Sequence, residues 1–260
     1  MNYSFFDILP EYGTFLILTA FLLLFYEIGY QLTHRYYLKE TTLEPKTLGQ
    51  ITGGLIGMWA FVLAFTFSIV ANQYQDRKKL VMDEANAIGT AFLRADLIDP
   101  NEGVSIKKQL AKYVEVRLDV IKTRNLKNAL EKSLEIHKNL WSSIKSVSLP
   151  NPNVNTSLLT QSINEIIDIH EKRVTAGTRT RIPFSIWLTL FTISFLAILT
   201  LGIQAGYNQS RKILIVIPLI MAFSSLTTLI VDLNNPQSGS IQVDQEPLIS
   251  LQKSMQSDGY

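Results

Sequence analysis

Histidine is the side chain best suited to acid–base or metal chemistry near neutral pH, and the chain has three: His34, His137 and His170. No two of them stand at a metal-ligand spacing, and no His-Glu-x-x-His, Gly-x-Ser-x-Gly, Gly-Lys-Ser/Thr or dinucleotide-binding motif occurs. Cysteine is absent, which excludes disulfides and thiolate chemistry. We therefore predict that the protein is not an enzyme and holds no cofactor or metal, and that each histidine is a solvated or interfacial side chain.

A second informative group lies in an uncharged stretch that ends near residue 72. Small, aromatic and polar residues recur there at spacings of three and four, which places them on one face of a helix. The members of this face are Gly54, Gly57, Phe61, Phe65, Ser68 and Asn72. Gly53 and the polar Gln73 are the other residues of interest in the same stretch.

This small and aromatic face has two interpretations. Gly53 and Gly57 form a Gly-x-x-x-Gly pair, so the face can be a seam where helices pack closely. Alternatively, Phe61 and Phe65 can form a hydrophobic constriction in an oligomer, which gates by dewetting, with the polar residues at a wetter mouth. The oligomeric state decides between them.

Charged residues follow this stretch, between about one and a half and about three and a half helical turns beyond it. A basic triplet there would favour anions at the mouth of a pore, whereas two carboxylates one turn further on would favour cations, so the sequence does not assign selectivity. A solvated helix face is the alternative interpretation of the carboxylates. The residues of this predicted vestibule are Arg77, Lys78, Lys79, Asp83 and Glu84.

Four segments are long and apolar enough to cross a hydrocarbon core about 30 Å thick. They cover residues 12–32, 48–72, 182–207 and 213–231, and the only charged residue within them is Glu27. Glu27 lies near the end of the first span, where a carboxylate can reach headgroups or water. Only 18% of the residues are charged, which is low for a soluble domain of this size.

The polar sequence between the second and third spans predicts helices only. Apolar residues continue at helical spacing after residue 73, so the second helix should extend into water. Asp99–Gly103 reads as a turn, followed by helices over about 104–123 and 126–146 and a last helix before the third span. The predicted core stripe of the middle helix is Leu126, Leu130, Leu134, Trp141 and Ile144.

The sequence thus predicts an all-α polytopic membrane protein with four transmembrane helices and a helical extramembrane bundle inserted between spans two and three. We assign 1–72 to the first two spans, 73–181 to the helical domain, 182–233 to the last two spans and 234–260 to a C-terminal tail. Basic residues beside spans two and three favour a cytoplasmic helical domain and a multi-pass protein of the inner membrane. The basic residues of the two short connections between spans favour the opposite orientation, with the termini outside. Lipid is the expected partner. A net charge of +2 with interleaved signs excludes nucleic acid.

Three stretches resemble the bacterial bestrophin-like membrane family of unknown function, a remote relative of the bestrophin anion channels. They are Leu63–Asn72, Asp83–Asp96 with its string Glu-Ala-Asn-Ala-Ile-Gly, and Asp232–Leu248. The resemblance covers about residues 49–251. The third stretch opens with a turn after the fourth span, whose residues are Asp232, Asn235, Pro236 and Gly239.

Bestrophins are four-span anion channels that assemble as pentamers around a pore lined by the second helix. For this chain the resemblance implies a homo-oligomeric channel with anions as the candidate permeant ion, and it places Phe61 and Phe65 at the pore through similar aromatic spacing. The turn after span four looks like the segment that leads to the bestrophin calcium clasp, but only Asp244 and Glu246 follow here. A non-conducting membrane scaffold or sensor, which binds a partner through its helical domain, stays the alternative.

Overall fold

The computed structural model describes residues 10–37, 45–123, 125–211, 213–236 and 239–260, and its regular elements in this part of the chain are all helical. A π-helical turn, Thr33–Tyr37, follows the first helix, and a 3₁₀ turn, Ala95–Leu97, follows the second. The α-helices are α1 Glu11–Leu32, α2 Pro45–Arg94, α3 Pro100–Thr123, α4 Leu126–Ser148, α5 Val154–Thr178, α6 Phe184–Tyr207, α7 Ile213–Asn234 and α8 Glu246–Ser257.

Four of these helices have the length and composition needed to cross a membrane. The candidate spans fall within Glu11–Arg35, Lys46–Leu97, Phe184–Tyr207 and Ile213–Asn234. The predicted fold class, with four spans and intervening helices between the second and third, is therefore confirmed. Helix α2 is a single element of 50 residues with no proline after its first position, so the second span continues as helix, as predicted.

The chain divides into two compact units. The membrane unit comprises Met1–Tyr74 and Arg181–Gln242, and the helical unit comprises Gln75–Thr180 and Val243–Tyr260. The C-terminal residues were predicted only as a tail. In the structure they supply α8 to the helical unit, where Leu248 and Met255 are buried in the core.

In the membrane unit, α1 and α6 bring their backbones together through reciprocal glycines. A Cβ atom at Gly29 would stand 2.3 Å from the carbonyl oxygen of Leu199, and one at Gly202 would stand 2.2 Å from that of Tyr26. Lipid tails are as apolar as leucine, so membrane helices associate through close van der Waals packing rather than through the hydrophobic effect. These glycines make that close packing possible.

The connection between α6 and α7 returns to the end of α1. Arg211 Nη2 lies 3.3 Å from Glu27 Oε1, and the guanidinium stands 4.6 Å from the centroid of the Tyr30 ring. The hydroxyl of Tyr26 donates a hydrogen bond to the backbone carbonyl of Arg211. Glu27 is thus paired with a cation near the end of its span, which agrees with the interfacial interpretation.

In the helical unit, α3 begins earlier than predicted. Asp99 Oδ1 accepts a hydrogen bond of 3.0 Å from the backbone N–H of Asn101, and Pro100 takes the first helical position. The Asp99 carboxylate accepts a free N–H group of the first turn, and Pro100 has no N–H group that would need a partner there. The same residue types that indicate a turn therefore start a helix here. Gly103 is needed because a Cβ there would stand 2.3 Å from the carbonyl oxygen of Ala95.

The core face of α4 also differs from the predicted stripe. Leu134 and Trp141 are 47% and 46% exposed, whereas Ser133, His137 and Leu140 are buried. Each residue advances 100° around a helix, so steps of four drift by about 40° each. A stripe drawn through consecutive steps of four therefore leaves the face that packs.

We expect Gly202→Ala to destabilise the protein although alanine favours helix. The added Cβ would collide with backbone atoms of α1, which cannot move aside as a side chain can, at a cost of about 1–3 kcal/mol. Gly177→Ala is the matched control, since a Cβ at Gly177 meets no heavy atom of the described residues within 4 Å. Thermal unfolding of the detergent-solubilised protein should show a lower midpoint for Gly202→Ala and an unchanged or higher one for Gly177→Ala. Equal midpoints would contradict the close packing of α1 and α6.

Candidate functional site: an exposed face of helix α2 and a buried polar cluster

The membrane part of α2 buries one face in its own unit and leaves another exposed. Trp59, Leu63 and Val70 are buried, and the Trp59 ring stacks on Phe223 with a centroid distance of 3.8 Å. The face predicted from the sequence is the exposed one, with Phe61 and Phe65 73% and 58% exposed. Its other exposed members are Gly53, Gly54, Gly57, Ser68 and Asn72.

Gln73 does not share this open face. Twelve residues after Phe61, it is turned by about 120° around the helix. It is half-buried, and its Oε1 is enclosed without a hydrogen-bond partner among the described residues. Gln73 therefore lies off the face that Phe61 and Phe65 share.

The three glycines of this stretch have free space beside them. A Cβ built at Gly53, Gly54 or Gly57 would meet no heavy atom within 4 Å in the described part of the chain. Gly202 in α6 is different, because backbone atoms of α1 occupy the space where a side chain would be. A packing role for the α2 glycines therefore has no partner among the described residues.

The predicted vestibule charges divide into exposed and buried residues. Lys78 and Lys79 are exposed and Asp83 is half-exposed, but Arg77 and Glu84 are buried in the single chain. For Glu84 the sequence prediction of a solvated or vestibule carboxylate is wrong: its side chain has no exposed surface and pairs with two arginines. A fully buried carboxylate needs such partners because an unpaired buried charge is very costly.

Glu84 is the centre of a buried group in the helical unit that we call the polar cluster. Helices α2, α3, α4 and α5 each contribute to it. Glu84 Oε2 pairs with Arg173 Nη1, and Glu84 Oε1 lies 3.4 Å from Arg117 Nε. The arginine side chains are only 14% and 8% exposed. The six members are Glu84, Tyr113, Arg117, His137, His170 and Arg173.

Tyr113 connects the carboxylate to a histidine. Its hydroxyl donates to Glu84 Oε1 at 2.7 Å and lies 3.0 Å from His170 Nδ1. Since the hydroxyl has one proton and gives it to Glu84, the imidazole must donate from Nδ1, which fixes the tautomer of His170. Burial, reinforced by the charge of Glu84, raises the pKa of Tyr113 well above 10, so the phenol stays protonated.

Two of the three histidines belong to this cluster, so the prediction that each is solvated or interfacial is wrong for them. His137 and His170 are 5% and 1% exposed, and their rings meet edge to face with centroids 4.7 Å apart. Burial lowers the pKa of His137 to about 4 and that of His170 to about 3, with the charge of Arg117 adding to the effect at His170. Both imidazoles are therefore neutral at physiological pH.

The cluster also holds the C-terminal segment of its unit. Arg173 Nη2 donates to Gln245 Oε1 at 3.1 Å, and Gln245 Nε2 donates to the carbonyl oxygen of Val243 at 2.8 Å. Gln245 immediately precedes α8. One guanidinium thus joins the central carboxylate to the residue from which α8 starts.

The helical periodicity contains a signal for this cluster that sequence reasoning missed. Glu84 stands three residues after Val81 and four before Ile88, and so lies on the apolar stripe of α2. His170 stands seven residues after Ile163 on the stripe of α5. A charged residue on a core stripe indicates a buried partner, although the sequence does not name that partner.

The turn after α7 is closed by Asp232. Asp232 Oδ1 and Oδ2 accept the backbone N–H groups of Ser240 and Ile241 at 2.8 and 3.0 Å, so the carboxylate fixes the backbone that follows the turn. Gly239 is required because a Cβ there would stand 2.7 Å from the carbonyl oxygens of Asp232 and Asn235. Gln237 and Ser238 lie outside the described residues. In the described ranges no three His, Cys, Asp or Glu side chains are placed to hold a metal ion.

Comparison with solved structures finds the same fold at low sequence identity. A bacterial bestrophin homolog from Klebsiella pneumoniae matches with a TM-score of 0.65 and 15% identity, covering 94% of this chain and 96% of its own. A second variant of it gives a TM-score of 0.66 with the same identity and coverage. A structure described as a membrane protein matches with a TM-score of 0.69 and 13% identity, covering 95% and 98%.

At the level of sequence, none of the curated proteins compared with the chain matches it. The pattern of the bestrophin-like domain, in contrast, matches residues 17–248, which is most of the chain and includes all four candidate spans in large part. Together with the multi-pass helical fold, this match confirms the resemblance found in the sequence. The chain belongs to the bestrophin-like family of membrane proteins, which is related to anion channels.

Proposed function

We propose that the protein is an oligomeric ion channel whose pore is lined by the exposed face of α2. One observation carries this proposal: Phe61 and Phe65 project from a membrane helix whose other face is packed, and they stay 73% and 58% exposed among the described residues. A ring of such side chains around a central axis would form an apolar constriction that gates by dewetting.

Lipid alone accounts poorly for this face. Phenylalanine is suited to hydrocarbon, but Ser68 and Asn72 share the face, and an amide directed into lipid leaves its donors and acceptors without partners. A water-filled axis accounts for both kinds of residue. It places the aromatic rings at the narrow part and the polar groups at a wider, hydrated mouth.

Family membership supports the finer parts of the proposal. We propose a homo-oligomer, with five subunits favoured by the resemblance to bestrophins, in the inner membrane with the helical unit in the cytoplasm. Anions are the proposed permeant ion, because the family is related to anion channels and Lys78 and Lys79 are exposed beyond the polar mouth. Of the two predicted vestibule carboxylates, Glu84 is neutralised by arginines, and only Asp83 opposes the lysines.

A groove in the helical unit favours a second candidate function, a non-conducting scaffold or sensor. The groove lies among α3, α4 and α8 and has a volume of about 840 Å³. Apolar side chains at its base and charges of both signs at its rim suit a partner helix or peptide. Its lining includes Leu118, Ile136, Ile249, Lys112, Glu115 and Lys132.

Replacing Phe61 and Phe65 together by alanine should raise the single-channel conductance of the purified protein in planar bilayers by about twofold or more. The constriction would be wider and would stay filled with water. Phe67→Ala is the matched control, since Phe67 lies on the same helix about 120° from Phe61 and should leave conductance unchanged. Unaltered conductance in Phe61→Ala and Phe65→Ala would overturn the pore assignment.

Charge reversal at the mouth tests the permeant ion. Lys79 lies about five turns after Phe61 and shares its helical phase, so Lys79→Glu should lower the anion-to-cation permeability ratio by about twofold or more, measured as a reversal-potential shift in a salt gradient. Lys78→Glu, one residue and about 100° away, should have a smaller effect. A larger effect at Lys78 than at Lys79 would contradict the proposed pore face.

Electron microscopy of the protein in nanodiscs distinguishes the two functions. A ring with α2 facing a continuous central axis is expected for the channel. A monomer, or a dimer with Gly53 and Gly57 packed against a second copy, would instead favour the scaffold. Crosslinking through the groove residues in cells should then find a second protein, and crosslinks only between copies of this chain would count against the scaffold.

A further inference from the structure

The polar cluster of the helical unit carries more positive than negative charge in a place with little access to water. Arg117 and Arg173 face the single carboxylate of Glu84, which leaves one positive charge in excess. His137 Nε2 is buried and has no hydrogen-bond partner among the described residues. An additional proton in this cluster would thus add a second unbalanced positive charge, where water cannot screen it.

The groups that face the two imidazoles come from every helix of the cluster. His170 in α5 meets the Tyr113 hydroxyl in α3 at 3.0 Å and the ring of His137 in α4 at a centroid distance of 4.7 Å. His137 lies against the same tyrosine ring, with centroids 5.0 Å apart. The charges that act on both are those of Glu84 in α2 and Arg117 in α3, and Arg173 acts on His170 from its own helix.

We propose that this cluster is a proton-sensitive latch, which holds the C-terminal segment Val243–Tyr260 in place while both imidazoles are neutral and releases it when they are protonated. The point of release is Arg173, the most exposed charged member of the cluster. Repulsion from two imidazolium groups drives its guanidinium toward water. The hydrogen bond from Arg173 to Gln245, at the start of α8, is then lost.

The direction of the pH effect follows from the histidine pKa values. In the closed state these are about 4 and 3, whereas a solvated imidazole titrates near 6.5. The open state therefore binds more protons than the closed state between these values, and the closed state is lost as pH falls below 6.5. Above about pH 7 both states have neutral imidazoles, and the latch is insensitive to pH.

Amide hydrogen exchange of the full chain in nanodiscs tests the latch without any conductance measurement. We expect the protection factors of α8 amides to fall between pH 6 and pH 5 by about sixtyfold, because both imidazoles titrate on opening, and by about eightfold where a variant leaves only one of them. Constant protection of α8 would overturn the proposal, as would an equal loss in all helices of the unit.

The chain offers matched histidine variants. His137→Gln and His170→Gln, made singly, should each reduce the slope of log protection against pH, and the double variant should abolish it. His34→Gln, which removes the third histidine from the membrane unit, should retain the slope of the unmodified protein. An unchanged slope in both single variants would assign the pH effect to other groups and overturn the latch.

A variant outside the titrating groups tests the link itself. Gln245→Ala removes the acceptor of Arg173 while leaving both histidines in place. It should lower α8 protection at pH 7.5, where the unmodified protein is fully latched, and bring it close to the value of the unmodified protein at pH 5. Unchanged protection at pH 7.5 would show that Gln245 does not hold the segment.

Discussion

The unbroken helix α2 satisfies a constraint that the bilayer imposes. No water is available inside hydrocarbon to bond with backbone N–H and C=O groups, so a spanning segment must pair all of them internally. Helix α2 does this from Pro45 to Arg94 and supplies residues to both units. Each side chain is therefore fixed in 100° steps along its length. Both the open position of Phe61 and the buried position of Glu84 depend on that register.

Each of the two units is stabilised internally by a different kind of interaction. In the membrane unit, glycines at the α1–α6 contact allow the two backbones to touch. Such close packing is expected because the hydrophobic effect does not drive helices together in lipid. In the helical unit an apolar core surrounds an ionic centre. A buried ion pair adds little net stability, but loss of one partner costs about 3–5 kcal/mol. Glu84 thus selects the arrangement in which Arg117 and Arg173 both reach it.

The sequence predicts the features that depend on local composition and misses those that depend on distant partners. The four spans follow from the length of apolar segments, and the open face of α2 follows from helical spacing between Gly53 and Asn72. Glu84 looked like a solvated neighbour of Asp83 because its partners are far along the chain, and Arg173 is 89 residues away. The burial of His137 and His170 escapes sequence-based prediction for the same reason, because it depends on several helices that pack together.

The glycines illustrate how one residue type supports two different conclusions. Glycine inside a helix costs about 1 kcal/mol relative to alanine, so its presence needs a compensating contact. Gly29 and Gly202 have that contact, because backbone atoms occupy the space where their side chains would be. Gly53, Gly54 and Gly57 bear the same cost with nothing beside them in the described chain. The absence of a compensating contact among the described residues supports the proposed assembly, in which this face lies against another copy of the chain or lines a narrow space between copies.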